Sequence, residues 1–171
     1  MSARTAYVGL GSNLDGPREH VLRALDELAR LPDTRLVRHS GLYRSAPLAH
    51  AAQPDFVNAV AQLETALDPR RLLDELSAIE TRHGRERPFP NAPRTLDLDL
   101  LLYGNVHFHE PGLELPHPRM HQRAFVLQPL MEIAPDLHIP GRGPAKTQLA
   151  QCANQPIHLY PPPIELAGGV K

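Results

Sequence analysis

The stretch Pro93-Arg94-Thr95-Leu96-Asp97-Leu98-Asp99-Leu100-Leu101-Leu102-Tyr103-Gly104 alternates leucine with aspartate and then becomes wholly apolar. Successive side chains of a strand point to opposite faces, so the pattern predicts a strand with Asp97 and Asp99 on one face, about 7 Å apart. Two carboxylates at this spacing can hold Mg²⁺, which prefers one or two carboxylates together with phosphate oxygens and water. Alternation is also typical of a strand with one solvated face, so both interpretations stay open here. The leucine run that follows favours a central, well-covered strand.

The composition is that of a soluble single-domain protein. The chain has 171 residues, a formal net charge of -1 and one cysteine, Cys152, which cannot form an internal disulfide. No segment has the pattern of a signal peptide or a membrane helix, so we expect a cytoplasmic protein with neither a membrane nor a nucleic-acid partner. We expect one domain over residues 1–160 and a mobile tail rich in proline and glycine over 161–171.

Hydrophobic periodicity predicts the order β-α-β-β-α-β, followed by an additional helical segment towards the C-terminus. Before the aspartate strand, we predict strands at 5–10, 34–43 and 54–64, and helices from Pro17 to Pro32 and from Asp68-Pro69 to Gly84. After it come a short strand at 106–109, helices at 120–134 and 145–153, and a strand at 157–160. This order is typical of an α+β sandwich of the ferredoxin-like kind, an antiparallel sheet with helices packed on it.

Three further patterns bear on chemistry. Gly9-Leu10-Gly11 is not a dinucleotide-binding fingerprint, because the third glycine would fall at Leu14. His107 and His109 lack a third ligand at a fixed spacing, which makes them weak evidence for zinc. The arginines between 85 and 94 lie in a proline-rich loop just before the aspartates, and guanidinium groups match the geometry of phosphate oxygens.

From Ala6 to about Leu137, several motifs resemble those of the 6-hydroxymethyl-7,8-dihydropterin pyrophosphokinases of folate biosynthesis, and they occur in the same order. The motifs are Gly-Leu-Gly-Ser-Asn-Leu at 9–14, Tyr-Arg-Ser-Ala-Pro-Leu at 43–48, Gln-Pro-Asp-Phe-Val-Asn-Ala at 53–59, Gly-Arg at 84–85, Pro-Arg-Thr-Leu-Asp-Leu-Asp at 93–99 and Leu-Pro-His-Pro at 115–118. The resemblance implies a ferredoxin-like α+β fold. It also implies transfer of pyrophosphate from ATP to the hydroxymethyl group of the pterin, leaving AMP.

The resemblance also implies roles for individual residues. Asp97 and Asp99 would hold two Mg²⁺ ions that bridge the ATP phosphates. Arg85 and Arg94 would engage the triphosphate as catalytic residues, and Ser77, Glu80, Arg87, Leu100, His117 and Arg123 would lie on the nucleotide side. The pterin pocket would comprise Ser45, Pro47, Leu48, Phe56, Asn58 and Phe125, with the two phenylalanine rings on either side of the flat pterin and Asn58 at its polar edge.

The chain departs from the family pattern in its loop and in its pocket. Family members often have a tryptophan in the loop before the Pro-Arg-Thr-Leu-Asp motif. This chain has no tryptophan, and the aromatic residue in its loop is Phe89. Phe56 replaces a common tyrosine, which removes a hydroxyl and keeps the ring.

Two other classes of function use the same residues. One is another two-metal nucleotidyl- or phosphotransferase, and the other is a non-catalytic ferredoxin-like ligand-binding module. Formation of AMP together with a pyrophosphorylated alcohol would separate the predicted reaction from the first alternative, and metal-dependent ATP binding would separate it from the second. For the predicted enzyme we expect a monomer whose partners are ATP and 6-hydroxymethyl-7,8-dihydropterin.

Overall fold

The computed structural model describes residues 3–46, 53–84 and 95–160. Its elements, in chain order, are β1 (Arg4–Ser12), α1 (Pro17–Ala29), β2 (Thr34–His39), β3 (Tyr43–Ser45), β4 (Phe56–Thr65), α2 (Pro69–Arg82), β5 (Asp97–Tyr103), β6 (Phe108–Glu110), β7 (Leu113–Leu115), a 3₁₀ helix (Met120–Gln122), α3 (Ala124–Ile133), β8 (His138–Ile139), β9 (Gly143–Pro144), α4 (Ala145–Ala150) and β10 (Ile157–Leu159).

Six strands form an antiparallel sheet with the order β10-β3-β4-β1-β5, in which β2 also pairs with β4. Helices α1 and α2 cover one face of the sheet, where Leu28 and Leu76 lie in one apolar cluster with Val8. Helix α3 covers part of the other face, where Leu127 lies in a second cluster with Val60. The predicted α+β class, an antiparallel sheet with helices packed on it, is confirmed.

Local chemistry explains where α1 and α2 begin. The Asp68 carboxylate accepts the Arg71 N–H at 2.8 Å, and Pro69 opens α2 with a backbone angle that already suits a helix. Gly16 precedes α1 with φ +80°, a left-handed conformation that glycine adopts without steric cost, and it makes no side-chain cap. The predicted starts of both helices are therefore confirmed.

The predicted single strand over 34–43 is wrong, because the chain leaves the sheet after His39 and returns at Tyr43. Tertiary contacts stabilise residues 40–42 outside the strands. The Ser40 hydroxyl accepts the Val60 N–H at 3.0 Å, and the Gly41 N–H donates to the Glu132 carboxylate at 3.1 Å. Strand β3 consequently includes Ser45, which lies beyond the end of the predicted strand over 34–43.

The predicted continuous helix over 120–134 is also divided. Arg123 has extended backbone angles, φ -125° and ψ 110°, and separates the 3₁₀ helix from α3. The first N–H of α3, on Ala124, donates to Gln155 Oε1 at 2.9 Å, a contact with the segment before β10. Residues 135–144, between the two predicted helical segments, contain the small β8–β9 pair, for which no strand was predicted.

The prediction that the aspartate strand is central in the sheet is wrong. Strand β5 lies at one end of the strand order and pairs with β1 alone in the described part of the chain. Its leucines are buried all the same, since α2 and the β6–β7 hairpin pack against it. The register shifts between Val8–Leu100 and Tyr7–Leu102, so Leu101 is an extra residue. As a result, Leu98 and Leu100 belong to the cluster under α1 and α2, whereas Leu101 and Leu102 belong to the cluster under α3.

The short predicted strand at 106–109 begins two residues later, at Phe108, and pairs with β7 as a separate hairpin. The predicted last strand is confirmed as β10, which pairs with β3. Among the described residues, no helix combines the length and the apolar character that crossing a membrane requires.

Candidate functional site

The site is arranged around one row of residues that runs across three strands. Gly11 of β1 pairs with Asn58 of β4 on one side and with Asp97 of β5 on the other. Directly opposed residues of an antiparallel sheet share a face, so Asn58 and Asp97 lie on the same face, about 10 Å apart by two strand spacings. In the next row, Gly9 lies between Val60 and Asp99. The prediction that the two aspartates share a face is therefore confirmed.

The two glycines of β1 have different surroundings on this face. A β-carbon on Gly11 would lie 3.3 Å from Asn58 Nδ2 and 3.8 Å from Phe56 Cδ1. A β-carbon on Gly9 would meet Leu101 at 3.5 Å. Because Gly11 has no side chain, the space above its backbone on this face is bordered by Asn58 and Phe56, whereas the space above Gly9 is filled by the buried Leu101.

Asn58 is a buried polar residue whose amide is oriented by Ser45. The Ser45 hydroxyl donates to Asn58 Oδ1 at 2.6 Å, and both residues are less than 7% exposed. Since a hydroxyl donates here, Oδ1 is the acceptor, and the Nδ2 donor group is on the other side of the amide. Predicted pocket residues Ser45 and Asn58 are thus in direct contact.

Tyr43 is opposite Asn58 and joins this face of the sheet to α3. Its hydroxyl donates to Glu132 Oε1 at 2.7 Å. Burial and the neighbouring Glu132 carboxylate raise the pKa of Tyr43, so the phenol stays neutral at physiological pH. Sequence reasoning missed this residue as a structural support of the site, because the contact joins positions 89 apart in the chain.

The two predicted aromatic rings lie on this same side of the sheet. Phe56 is half-buried beside Gly11, and Phe125 is half-buried against the apolar cluster under α3. The Arg123 guanidinium lies 5.4 Å from the centre of the Phe125 ring, within the range of a cation–π contact. The structure therefore brings Phe56, Phe125 and Arg123 to the face that carries the aspartates.

His117 lies next to β5, and its backbone N–H donates to the Leu101 carbonyl at 2.9 Å. Its Nδ1 accepts the Arg119 N–H at 3.1 Å. Burial, reinforced by the charge of Arg123 and opposed by that of Asp97, lowers the pKa of His117 to about 4. The ring is therefore neutral at pH 7 and carries its proton on Nε2, which can donate to a phosphate oxygen.

A cavity of about 500 Å³ opens beside the edge of β5. Asp99 and His117 line it, together with Leu73, Leu98, Leu100, Pro118 and the hairpin residues His109, Glu110, Pro111, Gly112, Leu113 and Glu114. Its size is in the range of small-molecule sites. The sequence indicated Asp99, Leu100 and His117 and predicted a short strand at 106–109, but it did not indicate that the β6–β7 hairpin lines a cavity.

Two predicted nucleotide residues lie on α2. Ser77 is exposed, and its carbonyl accepts the hydroxyl of Thr81 at 3.0 Å. Glu80 is half-buried, and its Oε2 accepts the N–H of Leu98, between the two aspartates, at 2.6 Å. Arg85, Arg87 and Arg94 lie outside the described residues, as do Pro47, Leu48 and Phe89.

The described residues contain no group of three or more His, Cys, Asp or Glu side chains arranged to hold a metal ion. His109 pairs with Glu114 at 3.5 Å. A cation at Asp97 and Asp99 would therefore need further ligands from outside the described part of the chain, such as phosphate oxygens and water.

Comparison with known proteins gives a consistent result. The family model of 7,8-dihydro-6-hydroxymethylpterin-pyrophosphokinase (HPPK) matches residues 7–135. A 2-amino-4-hydroxy-6-hydroxymethyldihydropteridine pyrophosphokinase of Pseudomonas aeruginosa is 52% identical over 155 residues, which are 91% of this chain and 96% of that protein. The protein of the same name from Haemophilus influenzae is 52% identical over 136 residues, 80% of this chain and 85% of the relative.

The fold is similar to that of a solved Plasmodium falciparum HPPK-DHPS chain, with a TM-score of 0.68 at 12% sequence identity. The similarity covers 87% of this chain and 43% of the solved chain, so this chain matches less than half of that longer protein.

Proposed function

The chain belongs to the 7,8-dihydro-6-hydroxymethylpterin-pyrophosphokinase family, and we propose that it transfers pyrophosphate from ATP to the hydroxymethyl group of 6-hydroxymethyl-7,8-dihydropterin. The products are AMP and the pterin diphosphate. The observation that best supports this assignment is the row in which Asn58 and Asp97 share one sheet face with Gly11 between them. That row offers a polar contact for a heterocycle beside carboxylates suited to a metal–phosphate complex.

In this reaction the oxygen of the pterin hydroxymethyl group attacks the β-phosphorus of ATP. The new bond joins that oxygen to the β-phosphorus, and the bond from the β-phosphorus to the α,β-bridging oxygen breaks. AMP leaves with the bridging oxygen, and the hydroxyl proton passes to an acceptor. The protein contributes mainly by positioning both substrates and by compensating the phosphate charge.

Asp97 and Asp99 would hold two Mg²⁺ ions together with the triphosphate. They present two carboxylates on one face with one residue between them, and hard divalent cations prefer oxygen ligands of this kind. When bound, Mg²⁺ compensates the phosphate charge and aligns the reacting groups.

The pterin would lie against the glycine backbone of β1, at Asn58. The Ser45 hydroxyl fixes the orientation of the Asn58 amide, which therefore offers its Nδ2 donor group in a defined direction. Phe56 and Phe125 lie on the same side of the sheet, where their rings can stack on either side of a flat bicyclic ligand. Pro47 and Leu48 stay predicted members of this pocket.

The nucleotide would occupy the cavity beside β5. Its apolar wall includes Leu98 and Leu100, which suits a base, and Asp99 and His117 are also in its lining. The neutral His117 ring can donate from Nε2 to a phosphate oxygen, and the nearby Arg123 supplies positive charge. Arg85, Arg87 and Arg94 are proposed ligands of the triphosphate, and Ser77 a proposed neighbour of the nucleotide.

We further propose that residues 1–160 act as one ferredoxin-like domain and as a monomer. The sheet order β4-β1-β5, with α1 and α2 on one face, supports this topology.

The test is to incubate the purified protein with ATP, Mg²⁺ and 6-hydroxymethyl-7,8-dihydropterin and to analyse both products. We expect one AMP for each pterin diphosphate formed. Production of ADP, or release of free pyrophosphate with a nucleotidylated alcohol, would assign the protein to a different class of phosphotransferase. ATP binding that does not depend on metal, with no turnover, would favour a ligand-binding module.

A further inference from the structure

We propose that Glu80 is a positioning residue that fixes β5 from its open edge, so that Asp97 and Asp99 are aligned before metal and nucleotide bind. This inference rests on the proposed metal-binding role of the two aspartates. It gives Glu80 a different task from the nucleotide contact that the family resemblance implies.

The first support is the position of β5 in the sheet. Strand β5 has β1 on one side, and no strand pairs with its other edge in the described part of the chain. Backbone N–H groups on such an edge need other partners. The Leu98 N–H finds one in Glu80 Oε2 at 2.6 Å, a short bond to a carboxylate acceptor.

The second support is that Leu98 lies between Asp97 and Asp99. Its N–H belongs to the peptide plane that joins it to Asp97, so a bond to this N–H fixes the orientation of that plane. On the other edge, the register with β1 holds Asp97 opposite Gly11 and Asp99 opposite Gly9. Strand β5 is thus held from both edges at the segment that carries the two carboxylates.

The third support is the anchoring of the last turn of α2. Ile79 is fully buried against the sheet, and the His83 side chain is 1% exposed. Arg23 can only donate, so its contact with His83 Nδ1 at 3.2 Å makes that nitrogen an acceptor. His83 Nε2–H then donates to Glu27 Oε1 on α1 at 2.5 Å. Glu80 therefore projects from a helix end that is fixed to α1.

The test compares three replacements of Glu80. Glu80→Ala removes the acceptor, Glu80→Asp keeps the charge on a side chain one methylene shorter, and Glu80→Gln keeps both the length and an acceptor oxygen. Glu75→Ala is the matched control. It also removes a carboxylate from α2, but the Glu75 carboxylate makes no bond to β5 among the described residues.

The first measurement is hydrogen exchange at the Leu98 amide in the protein without metal or nucleotide, followed by NMR. We expect exchange to be about tenfold faster or more in Glu80→Ala and Glu80→Asp, and close to wild type in Glu80→Gln and Glu75→Ala. Equal protection of Leu98 in wild type, Glu80→Ala and Glu80→Asp would overturn the proposal.

The second measurement is Mn²⁺ binding in the presence of a non-hydrolysable ATP analogue, followed by electron paramagnetic resonance. We expect several-fold weaker binding in Glu80→Ala and Glu80→Asp, with rescue in Glu80→Gln. If Glu80→Gln binds the metal–nucleotide complex as poorly as Glu80→Ala while Leu98 stays protected, Glu80 contacts the nucleotide directly and the proposal is wrong.

Neither measurement needs turnover, which keeps the two proposals separable. Absence of AMP formation by the wild-type protein would contradict the proposed reaction and leave the Leu98 exchange result standing. If Glu80→Ala fails to fold, the comparison of Glu80→Asp with Glu80→Gln still decides the role of Glu80.

Discussion

Gly11 and Asn58 are neighbours across the β1–β4 ladder, so close that a β-carbon on Gly11 would lie 3.3 Å from Asn58 Nδ2. Real β-carbon contacts are rarely this short, so an alanine here would displace the amide by a few tenths of an ångström.

We therefore predict that Gly11→Ala weakens pterin binding. The displaced amide loses its alignment with the heterocycle, and we expect the KM for the pterin to rise about tenfold with a smaller effect on the KM for ATP. Gly9→Ala is the control, because its β-carbon would meet Leu101 at an ordinary 3.5 Å. Steady-state kinetics measure both variants, and equal pterin KM values for Gly11→Ala and Gly9→Ala would contradict the expectation.

The hydroxyl of Ser45 orients the Asn58 amide, so Ser45→Ala should impair pterin binding as well as stability. Removing the donor leaves Asn58 Oδ1 without this bond in a buried position, and we expect a loss of about 1 kcal/mol in the free energy of unfolding. Calorimetric titration with the pterin and urea denaturation measure the two effects.

Ser12→Ala is a suitable control for this change, because the Ser12 hydroxyl is buried without a hydrogen-bond partner among the described residues. Its removal should leave stability unchanged or slightly higher. A loss of stability in Ser12→Ala as large as that in Ser45→Ala would mean that the Ser45–Asn58 bond is not the cause.

Asp97→Asn and Asp99→Asn should abolish metal-dependent nucleotide binding while the fold is retained. Each variant loses one anionic ligand, and we expect kcat/KM to fall by about a hundredfold or more. The control is Asp136→Asn, which removes an exposed carboxylate on the loop after α3. Calorimetric titration with MgATP measures nucleotide binding, and circular dichroism checks that the fold is retained. Full MgATP affinity in both site variants would refute the metal assignment.

His117 should make stability depend on pH between about 6.5 and 4. Its folded-state pKa of about 4 is lower than the value near 6.5 expected when unfolded, so the unfolded chain binds more protons in this window. Stability therefore falls with decreasing pH, and we expect His117 to contribute about 2 kcal/mol of that loss between pH 7 and pH 5.

Urea denaturation of wild type and His117→Gln at several pH values measures this contribution. The slope of unfolding free energy against pH should be smaller in His117→Gln than in wild type. His158→Gln, which alters an exposed histidine on β10, is the control variant. Identical slopes in wild type and His117→Gln would show that His117 titrates alike in the folded and unfolded chain.

Sequence alone determined those features that depend on local periodicity and local capping. The alternation around Asp97 and Asp99 placed both carboxylates on one face, because side-chain direction in a strand repeats every two residues. Asp68-Pro69 identified the start of α2 for an equally local reason, since the cap bonds an N–H three residues away. The leucine run indicated burial correctly, but it did not reveal that β5 lies at one end of the sheet formed by the described residues, covered by α2 and a hairpin.

Only the tertiary structure decided which residues meet across the sheet. In the row of Asn58, Gly11 and Asp97, the two partners of Gly11 lie 47 and 86 residues away from it in the chain. Strand pairing over such distances depends on packing of the whole chain. The breaks at Ser40 and at Arg123 also follow from long-range contacts, with Val60 and with Gln155 respectively. The bond from Leu98 to Glu80 has the same origin, because it exists only where the end of α2 packs beside the open edge of β5.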